Sequence, residues 1–363
     1  MEIIVKRDFL EHLLRKVGTV LVGTDAESFL RSFLLELDVN VLKVARTDTE
    51  LSAIVHTDKV KVISMEVPTQ VLIEAERFGE LVPKLDGDEV RLLLTKDRVS
   101  IEAGSYKGSL KLNDLSKYPS IAVGEEENVM KLDAQNFVKA LERVNYAASR
   151  GQIQDNLKQL TFVGGRCWAS NGSRYQEIVT HLPKGFQLTL PIIALELIKF
   201  IRLSGARTVE FEETGNFYFF KMNQDLFSCK HSHVPVTSES VLLKKLNEEK
   251  QGVFLTRVGK LKAMVNRISL TTKEVSGEIH FEVENNKLTL SAEDEFKNKS
   301  QETFPINLQG NKKEVRRSFD MKWLLLLEAL QVITDESVLV AIDKEFLVLK
   351  SDDSKALVPM VNK

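Results

Sequence analysis

One helical pattern occurs three times along this chain at nearly equal spacing, and that recurrence limits its fold more than any motif does. Leu10, Leu13, Leu14 and Val17 follow the i, i+3, i+4, i+7 rule that places apolar side chains on one face of a helix. Phe137, Ala140, Leu141 and Val144 repeat it 127 residues later, and Leu261, Met264, Val265 and Ile268 after a further 124. A single helix of this kind is commonplace, whereas three at such intervals mark an internal repeat. The chain has 363 residues, so one third is 121, an ordinary domain length.

Two further series fall in the same frame. Val71, Leu72, Ala75 and Phe78 stand at +3, +4, +7 and +10 from Pro68. Ala194, Leu195, Ile198 and Ile201 stand likewise from Pro191, and Trp323, Leu324, Leu327 and Leu330 from Asp320. Proline and aspartate suit helix starts, so the spacing predicts a second helix in each third, opening at those residues. Strand pairs form the third series. Val90, Leu92 and Leu94 alternate and turn into Val99 and Ile101; Val209 and Phe211 turn into Phe217 and Phe219; Val338, Val340 and Ile342 turn into Phe346 and Val348. Period-two alternation about a polar turn predicts β-hairpins. Helix, strands, helix, strands therefore recurs three times, an α+β fold. Charged breaks at Val123–Asn128 and Thr237–Gly252 read as exposed linkers and divide the chain into domains 1–124, 125–250 and 251–363.

Composition excludes several classes. Fifty basic against 52 acidic side chains leave a net charge of -2, which rules out a cationic tail but not a local basic face. Cys167 and Cys229 form no CxxC pair, so a zinc ribbon or dithiol redox site is excluded, and sparse thiols fit a reducing cytoplasm. The N-terminus lacks the apolar core of a signal peptide, and the longest aliphatic run, Leu324–Leu327, is far too short to span a membrane. No phosphate loop, nucleophile elbow, zinc-protease helix or dinucleotide turn is present, so no enzyme, cofactor or metal is expected. His231 and His233 share a strand face and read as a surface pair. Gln224–Phe227 reads as core strand.

Recognisable stretches lie within this frame. They are Val5-Lys-Arg-Asp-Phe-Leu, Leu42-Lys-Val-Ala-Arg-Thr-Asp-Thr-Glu-Leu51, Gly108-Ser-Leu-Lys-Leu112 with Tyr118-Pro119, Ala169-Ser-Asn-Gly-Ser-Arg174 and Leu357-Val-Pro-Met360. In order and spacing they resemble the bacterial DNA polymerase III beta subunit family, the sliding clamps, over the whole chain. The resemblance implies three similar clamp domains per chain, with sheets outside and helices inside, and two chains joined head to tail in a ring around duplex DNA. The implied partners are double-stranded DNA, a replicative polymerase, a clamp loader and a second copy of the chain, in the cytoplasm of a bacterium or of a phage's host. A clamp-like paralogue that does not support the polymerase is the alternative.

Site residues follow from that resemblance. Cations on the helices would face DNA: Arg7, Arg15, Arg77, Lys139, Arg143, Arg150, Lys199, Arg202, Lys260 and Arg267, with Lys16, Lys262 and Lys322 on the same polar positions. A peptide-binding pocket between the second and third domains would comprise Leu157, Ser170, Gly172, Arg174, Tyr175, Pro235, Trp323, Phe346, Leu357, Val358, Pro359 and Met360. Leu110 and Leu112 on an edge strand would meet Ile268 and Leu270 of the partner. Tyr175, Ser173, Glu239 and the closing Val361-Asn-Lys363 depart from the family pattern. Deleting 357–363 should abolish polymerase binding while the ring still assembles.

Overall fold

The computed structural model describes residues 2–38, 40–64, 70–149, 157–231, 251–272, 277–284, 286–309 and 316–361. The first third runs β1 (Glu2–Lys6), α1 (Arg7–Val17), β2 (Ser32–Asp38), β3 (Val41–Thr47), β4 (Leu51–Thr57), β5 (Val60–Ser64), β6 (Gln70–Glu74), α2 (Ala75–Leu81), β7 (Glu89–Leu94), β8 (Arg98–Ala103) and β9 (Tyr106–Asn113). The second runs β10 (Met130–Asp133), α3 (Ala134–Val144), β11 (Gln159–Val163), β12 (Arg166–Ser170), β13 (Tyr175–Val179), β14 (Leu188–Pro191), α4 (Glu196–Ser204), β15 (Thr208–Thr214), β16 (Phe217–Met222) and β17 (Asp225–Lys230). The third runs β18 (Gln251–Arg257), α5 (Val258–Thr272), β19 (Glu278–Glu284), β20 (Lys287–Glu293), β21 (Lys299–Pro305), β22 (Asn307–Gln309), β23 (Arg317–Lys322), α6 (Trp323–Gln331), β24 (Ser337–Ile342), β25 (Phe346–Lys350) and β26 (Ser354–Pro359).

The first helical series and the three hairpins stand where their periodicity put them. The second series needs correction at its N-terminal ends. Val71 and Leu72 lie in β6, whose consecutive buried Val71, Leu72 and Ile73 pair with β2, and the helix opens only at Ala75. Pro191 closes β14, and a 3₁₀ turn, Ile192–Leu195, precedes α4. Asp320 belongs to β23, and α6 opens at Trp323 with no side-chain cap. In each case a strand ends where the helical turns begin, and α2, α4 and α6 carry no side-chain cap. Only in the first do strand residues, Val71 and Leu72, buried by pairing with β2, coincide with the i+3, i+4 pattern. Pro68 lies outside the described residues.

The chain gathers into two compact units. The first, Met1–Val138 with Ile193–Ser232, holds a thirteen-stranded sheet in the order β10-β15-β16-β17-β4-β3-β2-β6-β9-β8-β7-β1-β5. Helices α1 and α4 pack together, burying Leu10, Leu13, Leu14 and Val17 with Leu197, Phe200 and Ile201. Each such side chain removed from water contributes about 1.5–3 kcal/mol. The second unit, Lys139–Ile192 with His233–Lys363, holds a nine-stranded sheet, β14-β11-β12-β13-β26-β25-β24-β18-β22, and a four-stranded one, β21-β20-β19-β23. Helices α5 and α6 pack over a core that includes Leu261, Met264, Val265, Leu326 and Leu330.

Sheets thus cross the divisions between thirds. In the first unit β17 pairs antiparallel with β4, Leu226 opposite Ile54 through Cys229 opposite Leu51. In the second unit β26 pairs antiparallel with β13, Leu357 opposite Tyr175 through Ser354 opposite Ile178. In both, the last strand of one third joins the third strand after the first helix of the preceding one, so the two joints are built alike.

Candidate functional site

The expected DNA-facing cations differ in how far they are exposed and in how the fold holds them. Arg15 and Lys139 are exposed, as are Arg202 and Lys260, whose Nζ lies 4.6 Å over the Phe304 ring. Arg77 and Lys199 are exposed in helical pairs with Glu74 at 3.2 Å and Glu196 at 2.8 Å, contacts of little energy in water. Others are tied into the fold. Arg7 donates to the Leu85 carbonyl at 2.8 Å and pairs with Asp8. Arg143 donates to the Val332 carbonyl at 2.8 Å and pairs with Asp353 at 2.8 Å. Arg267 pairs through two nitrogens with Glu302, at 2.9 and 2.6 Å. Lys16 is buried rather than on a polar face, its ammonium 2.6 Å from Asp225 Oδ2. Arg150 lies outside the described residues.

Of the residues expected to form the peptide-binding pocket, Leu157, Ser170, Gly172 and Arg174 lie at the turn between β12 and β13. Asn171 Oδ1 accepts from the amides of Ser173 at 3.1 Å and Arg174 at 2.9 Å. The Ser170 hydroxyl accepts from the Gly172 amide at 3.2 Å and donates to the Arg174 carbonyl at 2.9 Å. Gly172 holds φ +87°, and a Cβ there would lie 3.3 Å from Leu157 Cδ1. This turn aims Arg174 at α6, where Nη1 lies 2.6 Å from Glu328 Oε2 and the guanidinium 5.4 Å from the centre of the Tyr146 ring. The Tyr146 hydroxyl donates to Gln176 Oε1 at 2.6 Å, and burial pushes that phenol up. Gln176 Nε2 donates to the Ser354 hydroxyl at 2.7 Å across the β13–β26 joint.

The other expected pocket residues within the described chain belong to, or pack against, two apolar clusters. Tyr175 is fully buried, stacked on Trp168 at 5.9 Å, in one cluster with Ala341, Phe346, Val348 and Leu357. Its hydroxyl donates to Glu177 Oε2 at 2.8 Å, and burial, then the Glu177 carboxylate, push the phenol up. Val358 is in the core beneath α5 and α6, against which Trp323 and Met360 pack half-buried. Ser170, Tyr175, Phe346, Leu357 and Val358 are therefore interior, while Leu157, Gly172, Arg174, Trp323, Pro359 and Met360 reach solvent. Pro235 and Glu239 lie outside the described residues.

At the expected self-association surface, Leu110 is half-buried and Leu112 buried on β9, while Leu270 is 71% exposed on α5. Ile268 is corrected to a core residue at 2% exposure, because it continues the apolar stripe of Leu261, Met264 and Val265.

Comparison with family sequence models matches the N-terminal domain of the DNA polymerase III beta subunit over residues 1–122 and its C-terminal domain over residues 245–359. The chain belongs to the DNA polymerase III beta subunit family. The two matches together cover about two thirds of it. No curated protein matches it in sequence. Solved beta subunits share its fold. The C. crescentus beta sliding clamp superposes with a TM-score of 0.87 at 17% identity, covering 100% of both chains. The Bacillus subtilis DNA polymerase sliding clamp gives 0.85 at 16%, covering 100% of this chain and 99% of that one. The Thermotoga maritima beta subunit gives 0.84 at 16%, with the same coverage.

Beta subunits are processivity factors rather than enzymes. Among the described residues no helix is long and apolar enough to cross a membrane. Two residues central to the geometry carry no sequence signal, Tyr146 and Glu328, and the pairing of Asp225 within the core strand Gln224–Phe227 with Lys16 carries none either. Each pairs with a partner remote in sequence, so no local spacing marks it. The one available signal was Arg174, a charge whose half-buried position demands a carboxylate partner.

Proposed function

We propose that this chain is a ring-forming clamp that encircles duplex DNA, without reading its sequence, and tethers a replicative polymerase by a short docked peptide. The observation that carries the reading is the repetition: like thirds fused through like joints, with a strand edge left over at each end. Among the described residues β9 pairs with β6 only at Leu112 and Asn113, so Tyr106–Lys111 keep one unpaired side, and β21 pairs only with β20. Open edges seek partners. Two copies joined head to tail along them would place six domains, bounded as 1–124, 125–250 and 251–363, in a closed ring. Exposed Arg15, Lys139, Arg202 and Lys260 supply weak phosphate attraction, and near-neutral net charge suits a protein that holds DNA by enclosure in the cytoplasm.

The peptide would dock against Leu157, Gly172, Trp323, Pro359 and Met360, with Tyr175 and Phe346 as backing and Arg174 already neutralised by Glu328. A clamp loader would open the ring. Loading with a cognate loader on a primed circular template, followed by primer extension, tests the function. Longer products and retention on circular but not linear DNA are expected. Equal retention on both would refute enclosure, and loading without longer products would favour the paralogue reading.

A further inference from the structure

Lys16 and Arg143 occupy one position of the repeat. They stand 127 residues apart, the interval between the apolar patterns of α1 and α3. Each reaches forward to an aspartate at the entry of the last strand of the following third. Lys16 Nζ lies 2.6 Å from Oδ2 of Asp225, the first residue of β17, with the two side chains 10% and 8% exposed. Arg143 Nη2 lies 2.8 Å from Oδ2 of Asp353, one residue before β26, with the two side chains 18% and 28% exposed. β17 and β26 are the strands that make the two joints.

We infer that these pairs are one repeated device, an ion-pair latch by which the first helix of a third holds the last strand of the next and fixes the joint between them. The third cation of the series is Arg267, 124 residues beyond Arg143 on α5. By the repeat its acid would belong where β9 begins, but Ala103, Gly104, Ser105 and Tyr106 include none. Arg267 instead folds onto Glu302 of its own third and stays 57% exposed. The latch serves the two joints within the chain and is missing at the chain's own end. This inference concerns the joints alone and stands whether or not the ring forms.

A buried ion pair has a distinctive response to substitution. Removing one partner strands a charge, whereas replacing both with apolar groups is tolerated. Hydrogen exchange of the full chain therefore tests the latch. Lys16→Met should speed exchange of the β4–β17 amides on the order of a hundredfold and leave β13–β26 at wild-type rates. Arg143→Met should do the reverse, Arg267→Met should change neither, and the double variant Lys16→Met with Asp225→Leu should recover most of the protection. Lys16→Arg and Arg143→Lys should each retain it. Wild-type rates in the single variants, acceleration spread evenly over both joints, or no recovery in the double variant would each overturn the inference.

Discussion

Tyr175 shows how one residue ties together the apolar cluster at the β13–β26 joint. Its ring fills the cluster between Trp168 and Leu357, and its hydroxyl finds Glu177, itself near Arg166 at 3.3 Å and Lys355 at 3.5 Å. Tyr175→Phe removes the donor and leaves the rest of the packing, so a loss of about 1 kcal/mol in urea unfolding is expected. A second residue-scale case is Glu212, whose carboxylate holds the break between the first two thirds. It accepts from the amides of Glu125 at 2.8 Å and Glu126 at 3.1 Å and from the Thr214 hydroxyl at 2.7 Å. Burial raises its pKa, but the Thr214 hydroxyl and the backbone amides outweigh that and hold the group below the ordinary 4.5. A depressed folded value contributes stability that is whole above the ordinary value and lost as pH falls through the folded one. Glu212→Gln should thus be less stable than the wild type at neutral pH, with a gap that narrows below about pH 4.5. Urea midpoints across that range check it, and a gap independent of pH would contradict it.

At the scale of elements, β26 changes how the C-terminal tail should be tested. Leu357 and Val358 are 1% and 2% exposed and sit in the strand that joins the thirds, so removing them breaks the joint as well as any docking surface. A chain ending at Ala356 should lose cooperative thermal unfolding of this unit. One ending at Met360 should keep its Tm within a few degrees, because β26 stays whole and, among the described residues, the deletion removes Val361 with its 2.9 Å amide bond to the Asp320 carbonyl. Met360→Ala, which spares the strand and trims only a half-buried contact, is the cleaner probe of polymerase binding, and reduced affinity with a Tm lowered by no more than a few degrees is expected. The same strand shows what was legible in the chain. Period-two and period-3.6 patterns placed α1, α3, α5 and the three hairpins, because burial on one face writes itself into local order. Strand-to-helix passages such as β6 into α2 were misread, since residues buried by pairing with remote strands mimic a helical stripe. Which of the expected pocket residues reach solvent was not legible at all. Alternation along β13 and β26 does not reveal that Tyr175 and Leu357 belong to a second apolar cluster with Trp168, Ala341 and Phe346.

For the whole molecule, enclosure predicts a particular dependence on salt. If Arg15, Lys139, Arg202 and Lys260 only brush the phosphates, raising salt should weaken binding to short open duplexes steeply while leaving a ring closed on circular DNA in place. Filter retention of both substrates from low to moderate salt measures this, and parallel loss from the two would mean that charge alone holds the protein. The joints carry a consequence of another kind. Cys229 lies opposite Leu51 at the last rung of the β17–β4 joint, fully buried, its thiol pushed up by burial. Cys167 is buried in β12, in the sheet of the other unit. A thiol reagent meets two closed cysteines in the native chain, and parting the β17–β4 seam uncovers only one of them. The rate at which Cys229 is alkylated, read against Cys167 by mass spectrometry, is a clock for how often the first two thirds part, wound by the protein itself and needing no added probe.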